Sequence, residues 1–229
     1  MKKKIIYGIC GIISVIGIVV MLIFVLKGRD DATVQTINME GTWKVVVYVK
    51  DSSFTLVNNE FMIFNADSVS DYRDDFSIPF ATSKYEIDEA LEMKLPDISR
   101  NYTVKKYTSN YVRLYENKNT YIELIRYPKS DLSEVVFNHS DIIGKWNVTY
   151  RNADQIIANE YLIFEEDTMS DYRNGDVEPT VSSKYKWKDN NHLVIDKLGK
   201  SVIANMVSDK TIIFVEEDTG YIWELQKAD

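Results

Sequence analysis

Trp43, Val45 and Val47 alternate with Lys44, Val46 and Tyr48, the period-two pattern of a strand whose first set faces a core. Residues 61–64 and 69–73 read as two further strands, joined by the turn residues Asn65-Ala-Asp67-Ser68. A loop with Pro79 covers 74–82. Strands then follow over 83–87, 91–95, 102–108, 111–116 and 120–127. The same succession returns over 146–150, 160–164, 169–173, 183–187, 192–195, 201–207, 211–215 and 221–225. About eight short strands per half, at intervals of roughly 8–12 residues, are the signature of a sandwich or barrel.

The two halves are copies. Residues 59–73 read NEFMIFNADSVSDYR and residues 159–173 read NEYLIFEEDTMSDYR, with nine of fifteen positions identical. Gly41-Thr-Trp43 matches Gly144-Lys-Trp146, Ser83-Lys-Tyr85 matches Ser183-Lys-Tyr185, and Tyr121-Ile-Glu-Leu124 matches Tyr221-Ile-Trp-Glu-Leu225 with one residue inserted. Units of this size exceed the period of solenoid repeats, so each is expected to be a small domain folding on its own. The predicted organisation is a tail and anchor over 1–29, a linker over 30–40, barrel 1 over 41–127, a polar linker over 128–143 and barrel 2 over 144–229. In the second linker, Asp131 and Glu134 have the spacing of a capping box for one helical turn.

The N-terminus follows a different pattern. Lys2, Lys3 and Lys4 precede 22 uncharged residues, Ile5 to Leu26. As a helix that run spans roughly 33 Å, enough to cross a bilayer core. It ends in Phe24-Val-Leu-Lys27, a poor signal-peptidase site, so an uncleaved anchor is expected, with the N-terminus cytoplasmic and the body outside the cell. Residues 30–229 carry 22 basic and 35 acidic side chains, a net charge of −13, which argues against nucleic acid as a partner. The one cysteine, Cys10, lies in the apolar run, and the two histidines, His139 and His192, have no cysteine near them. A Cys/His zinc site therefore lacks its ligands, and no metal or cofactor is expected.

Gly-x-Trp at the head of eight antiparallel strands, then Phe64-Asn-Ala-Asp67 and Ser83-Lys-Tyr85, resembles the calycin group, and within it the short lipocalin-like domains of bacterial envelope proteins. The second copy repeats this with Gly144, Trp146, Phe164-Glu-Glu-Asp167 and Ser183-Lys-Tyr185. The resemblance implies an all-β fold of two tandem small antiparallel up-and-down barrels, behind one transmembrane helix, and a binding function in place of catalysis. It also implies an arginine laid over the Gly-x-Trp tryptophan to close one barrel end. That arginine usually follows the last strand, where Arg126 stands in the first copy and Gln226 near the place in the second. Arg73 and Arg173 are the arginines kept in register, so they are expected to stack on Trp43 and Trp146 within about 6 Å.

Asp71-Tyr72-Arg73 and Asp171-Tyr172-Arg173 are also candidate interaction residues, with Asp and Arg on one strand face and Tyr on the other. Three functions are open. A barrel could hold a small apolar or amphipathic ligand, or a peptide, with Tyr102, Tyr107, Tyr111, Tyr115, Tyr121 and Tyr127 lining a pocket or decorating a sheet face. Solid barrels could instead serve an envelope protein as an accessory or immunity-type module. An enzyme is not expected, since the repeated acids sit at turns and strand ends. A connected cavity inside a barrel separates the first two readings.

Overall fold

The structure, a computed structural model, describes residues 37–74, 76–152 and 159–229. The predicted span 5–26 lies outside them, and no helix of the described residues is long and apolar enough to cross a membrane.

The fold is all-β, with two successive barrels. The first contains β1 (Gly41–Lys50), β2 (Ser53–Leu56), β3 (Glu60–Phe64), β4 (Ser68–Arg73), β5 (Ala81–Lys84), β6 (Glu86–Ile87), β7 (Glu92–Leu95), β8 (Arg100–Lys106), β9 (Tyr111–Asn117) and β10 (Thr120–Arg126). The second contains β11 (Gly144–Arg151), β12 (Tyr161–Phe164), β13 (Thr168–Tyr172), β14 (Val181–Trp187), β15 (His192–Ile195), β16 (Lys200–Ser208), β17 (Thr211–Glu216) and β18 (Ile222–Lys227). Barrel 2 closes fully, each strand pairing with the next and β18 returning to β11. Barrel 1 runs from β5 through β4, β3, β1, β10, β9, β8 and β7 to β6, and is open only at Tyr85, between β5 and β6. The equivalent stretch of barrel 2 is the single strand β14, which pairs first with β13 and then with β15.

Side chains fill the interiors. Trp43, Val45, Met62, Phe64, Met93, Leu95, Val104 and Leu114 are buried in barrel 1, and Trp146, Leu162, Phe164, Met169, Leu193, Ile195, Ile212, Phe214 and Leu225 in barrel 2. The alternation read from the sequence holds up to Val45 and then changes hand. A β-bulge falls between Val45 and Val47, and its counterpart between Val148 and Tyr150. An extra residue in one strand exchanges the faces of everything after it. Val47, expected to face the core, therefore turns outward, and Tyr48 turns inward.

The outward residues build a seam between the barrels. Val46, Val47, Tyr111 and Ile125 of barrel 1 pack with Ile203, Ile213, Val215 and Ile222 of barrel 2, with Phe54, Leu56 and Tyr150 at the edge. Tyr107 and Tyr111 meet Tyr150 with ring centres 5.5 and 5.3 Å apart. Beside Tyr111, Arg113 Nε lies 2.7 Å from Glu123 Oε1, which also accepts from Tyr111 Oη at 3.0 Å. The tyrosine-rich stretch thus serves mainly an outer sheet face, with Tyr102 the buried inward member. Across the seam, Glu224 accepts hydrogen bonds from Thr108 Oγ1 and, at 3.4 Å, Asn110 Nδ2. The linker's helical turn is a 3-10 turn at His139–Ile142. It does not form at Ser130–Glu134, where Asp131 Oδ1 accepts from the backbone N–H and hydroxyl of Ser133 and spends its capping capacity in a local turn.

Candidate functional site

One end of each barrel is sealed by the Gly-x-Trp segment. The Trp43 indole N–H donates to the Met39 carbonyl at 2.6 Å, and that of Trp146 to the Ile142 carbonyl at 2.7 Å. Both rings are fully buried. The cation over Trp43 is Arg126, its guanidinium carbon 3.9 Å from the ring centre, and Lys227 stands over Trp146 at 5.3 Å. This corrects the expected stacking of Arg73 and Arg173. Trp43 faces Arg126 across the β1–β10 ladder, and Trp146 faces Lys227 across β11–β18. The residue inserted before Glu224 makes the local repeat offset 101, so Lys227, not Gln226, is the counterpart of Arg126. Arg126 also donates to the Glu40 and Asn38 carbonyls. Gly41 and Gly144 have φ of +112° and +120°. A Cβ at Gly41 would stand 2.6 Å from Arg126 Nη1, so the glycine makes room for the stacked arginine.

Arg73 and Arg173 belong to the opposite, open end. Their side chains point inward with Asp71 and Asp171, while Tyr72 and Tyr172 point out, Tyr172 stacked on Tyr161 at 4.7 Å. Arg73 reaches Asp71 Oδ2 through Nε and Nη2 at 3.1 and 2.8 Å and lies 3.5 Å from Glu60. Arg173 repeats this with Asp171 at 2.9 and 2.6 Å and Glu160 at 3.7 Å. The two mouths differ in what else touches the glutamate. In barrel 1 the Tyr48 hydroxyl donates to Glu60 at 2.5 Å, whereas in barrel 2 Arg151 holds Glu160 at 2.9 Å, an ion pair out of line with the N–H bond. Arg151 stacks 3.8 Å over Trp223. Burial pushes the Glu60 and Glu160 carboxyls up, against the pull of Tyr48 and Arg73 in one case and Arg151 and Arg173 in the other. These carboxylates are held in place by arginines.

Behind the mouth of barrel 1, the space between Glu60, Asp71, Arg73, Met62, Leu95 and Tyr102 measures about 20 Å³. That is room for one water molecule. The mouth itself is a hollow of about 440 Å³ open to solvent, rimmed by Lys50, Arg73, Arg100 and Glu116.

Barrel 2 carries a hollow of about 430 Å³ lined by Lys145, Asn147, Glu160 and Tyr161. A further concavity is a cleft of about 390 Å³ between the barrels, roofed by the linker. Its floor holds Lys44, Ile125, Ile203 and Asn205, and its walls Phe61, Tyr127, Phe137 and Met206. Phe76 and Val136 form partly exposed apolar lips, with Val136 71% exposed. Lys44 was legible as an outward residue of its strand, but the cleft needs both barrels docked, and no local pattern encodes that docking.

Among the described residues no group of three or more His, Cys, Asp or Glu side chains is arranged to hold a metal ion. Comparison with family models, curated proteins and solved structures returns no match.

Proposed function

We propose that this chain is a membrane-anchored, extracytoplasmic recognition protein, a tandem of lipocalin-like barrels without catalytic activity. Its binding surface is the cleft between the barrels, and the barrels themselves are solid supports. The observation that carries this reading is the lining: the cleft of about 390 Å³ is bounded by Phe61, Ile125, Phe137, Ile203 and Met206, whereas the mouth hollow of about 440 Å³ is rimmed by charged side chains and only about 20 Å³ remains beneath it. Small-molecule sites start at roughly 300 Å³. The Gly-x-Trp ends capped by Arg126 and Lys227 support the lipocalin-like reading, since they place a cation over the tryptophan after the last strand. The charged run and the 22 uncharged residues after it at the N-terminus support the anchor. A second reading, a small anion in the mouth of barrel 1, is favoured by the rim of Lys50, Arg73 and Arg100.

Methyl and indole NMR of the full chain in detergent micelles, titrated with an amphipathic probe such as dodecanoate, separates these readings. Cleft binding shifts the Ile125, Ile203 and Met206 methyls and leaves the Trp43 and Trp146 indoles in place. Shifts confined to the indoles would return the ligand to the barrel interiors, and shifts confined to Ile122 and Val49 would place it in the mouth. Protease added to intact cells is expected to remove the body, and full protection would overturn the topology.

A further inference from the structure

Lys44 stands on the outer face of β1, opposite Ile125 in the ladder, and reaches across the seam to Asn205 Oδ1 at 3.1 Å. Among the described residues no carboxylate lies within ion-pair distance of it, although the body carries 35 acidic side chains. The other charged groups lining the cleft are Arg126, engaged on Trp43 and two carbonyls, His192, engaged on Asp189 at 2.5 Å, and Glu134, exposed on the linker roof and making no ion pair with Lys44. Burial lowers the pKa of Lys44. A half-buried ammonium held only by a neutral amide is uncompensated. An anion entering the cleft would supply its missing counter-charge.

The rest of the lining narrows the choice. Phe76 and Val136 are exposed apolar residues gathered at one concavity, which marks an interaction site more than chance exposure does. The side-chain amides of Asn58, Asn59, Asn190 and Asn191 make no hydrogen bond to the described residues. Each offers one acceptor and two donors, the complement of a peptide main chain. An acyl chain would gain nothing from them.

We propose that the cleft takes a short apolar peptide segment whose free carboxylate is seated on Lys44, with its main chain bonded to the asparagine amides and its side chains against Phe76 and Val136. This rests on the reading of the cleft as the binding surface. The test is calorimetric titration of the full chain in detergent with acetyl-Val-Phe-Val as the free acid, the same peptide as its amide, and decanoate. The acid is expected to bind about tenfold tighter than the amide, the contribution of a charge-assisted hydrogen bond. Lys44→Met should reduce the acid to the affinity of the amide, and Lys44→Arg should keep the preference. Methionine fills similar space and removes an uncompensated charge, so the fold is expected to tolerate it. As an independent readout, the ¹³C signal of reductively methylated Lys44 should move with the acid and not with the amide. Equal binding of acid and amide, or a preference that survives Lys44→Met, overturns the carboxylate and leaves the cleft reading standing. Decanoate binding tighter than the acid peptide overturns the peptide. No binding of any probe overturns the proposal and the cleft reading together.

Discussion

A side chain at position 41 would displace the Arg126 guanidinium from its place. The φ of +112° there is strained for any L residue, and a Cβ would meet Arg126 Nη1 at 2.6 Å. Gly41→Ala should cost about 1–3 kcal/mol. Gly144→Ala should cost less, because there the nearest side-chain atom is Lys227 Cε at 3.9 Å and only the backbone strain remains. Chemical denaturation of both variants checks the order, and Arg126→Lys in the Gly41→Ala background should recover part of the loss if the clash contributes. Glu60 gives a pH prediction. Its native pKa is raised by burial, so the folded state binds this proton more tightly than the unfolded state. Its contribution is full below the ordinary carboxylate pKa and is lost as pH rises through the raised native value. Glu60→Gln has no proton to lose, so its stability relative to wild type should improve from about pH 4 to about pH 7. Denaturant midpoints at the two pH values measure this, and a difference moving the other way would mean that Tyr48 and Arg73 outweigh burial. Trp43 and Trp146 were legible as barrel-end residues from the Gly-x-Trp motif. Their cations were not, because register in the second copy depends on a single inserted residue.

Strands are where the sequence was most informative. Alternation and the duplicated segment place almost every strand, because inward and outward residues differ in polarity along each one. The pattern failed at Val45-Val46-Val47, where three apolar residues in a row conceal the bulge. Such a run cannot say which valine is the extra one. The consequence reaches function: the bulge sends Tyr48 and Arg151 into the mouths and Val47 and Tyr150 into the seam. Barrel closure also differs between the copies. After the interruption at Tyr85, barrel 1 pairs only Glu86 and Ile87 with β7, whereas β14 pairs Tyr185, Lys186 and Trp187 with β15. A shorter ladder opens more readily, so amide exchange at Glu86 and Ile87 should be faster than at Lys186 and Trp187. Hydrogen-exchange NMR resolves this directly, and equal protection would show that the interruption at Tyr85 has no energetic consequence.

At the scale of the molecule, the linker is less important than the apolar surface it brings together. The internal duplication points to two domains with a polar connection, and on that basis each half is expected to fold alone. Seam residues such as Val47, Ile125, Ile213 and Ile222 are indistinguishable in sequence from barrel core, since both are apolar positions on strands. A Cβ on Gly220, in barrel 2, would lie 3.1 Å from Phe54 and 3.4 Å from Val47, both in barrel 1, which shows how closely the barrels approach. Burial of a single Ile or Val contributes roughly 1.5–3 kcal/mol, so a seam of eight buried side chains makes each barrel's stability depend on the other. The cleft and its lysine exist only because of this docking.

The seam holds the two barrels as one body, and the proposed binding surface lies between them. Scanning calorimetry of the full chain, alongside Ile213→Asp, tests that most directly. Ile213 is fully buried at the seam and faces away from its own barrel's interior, so a charge there should separate the barrels while sparing each core. One cooperative transition is expected for the wild type, and two transitions at lower temperature for the variant. Two independent transitions in the wild type, with barrel 1 melting unchanged in the variant, would contradict it.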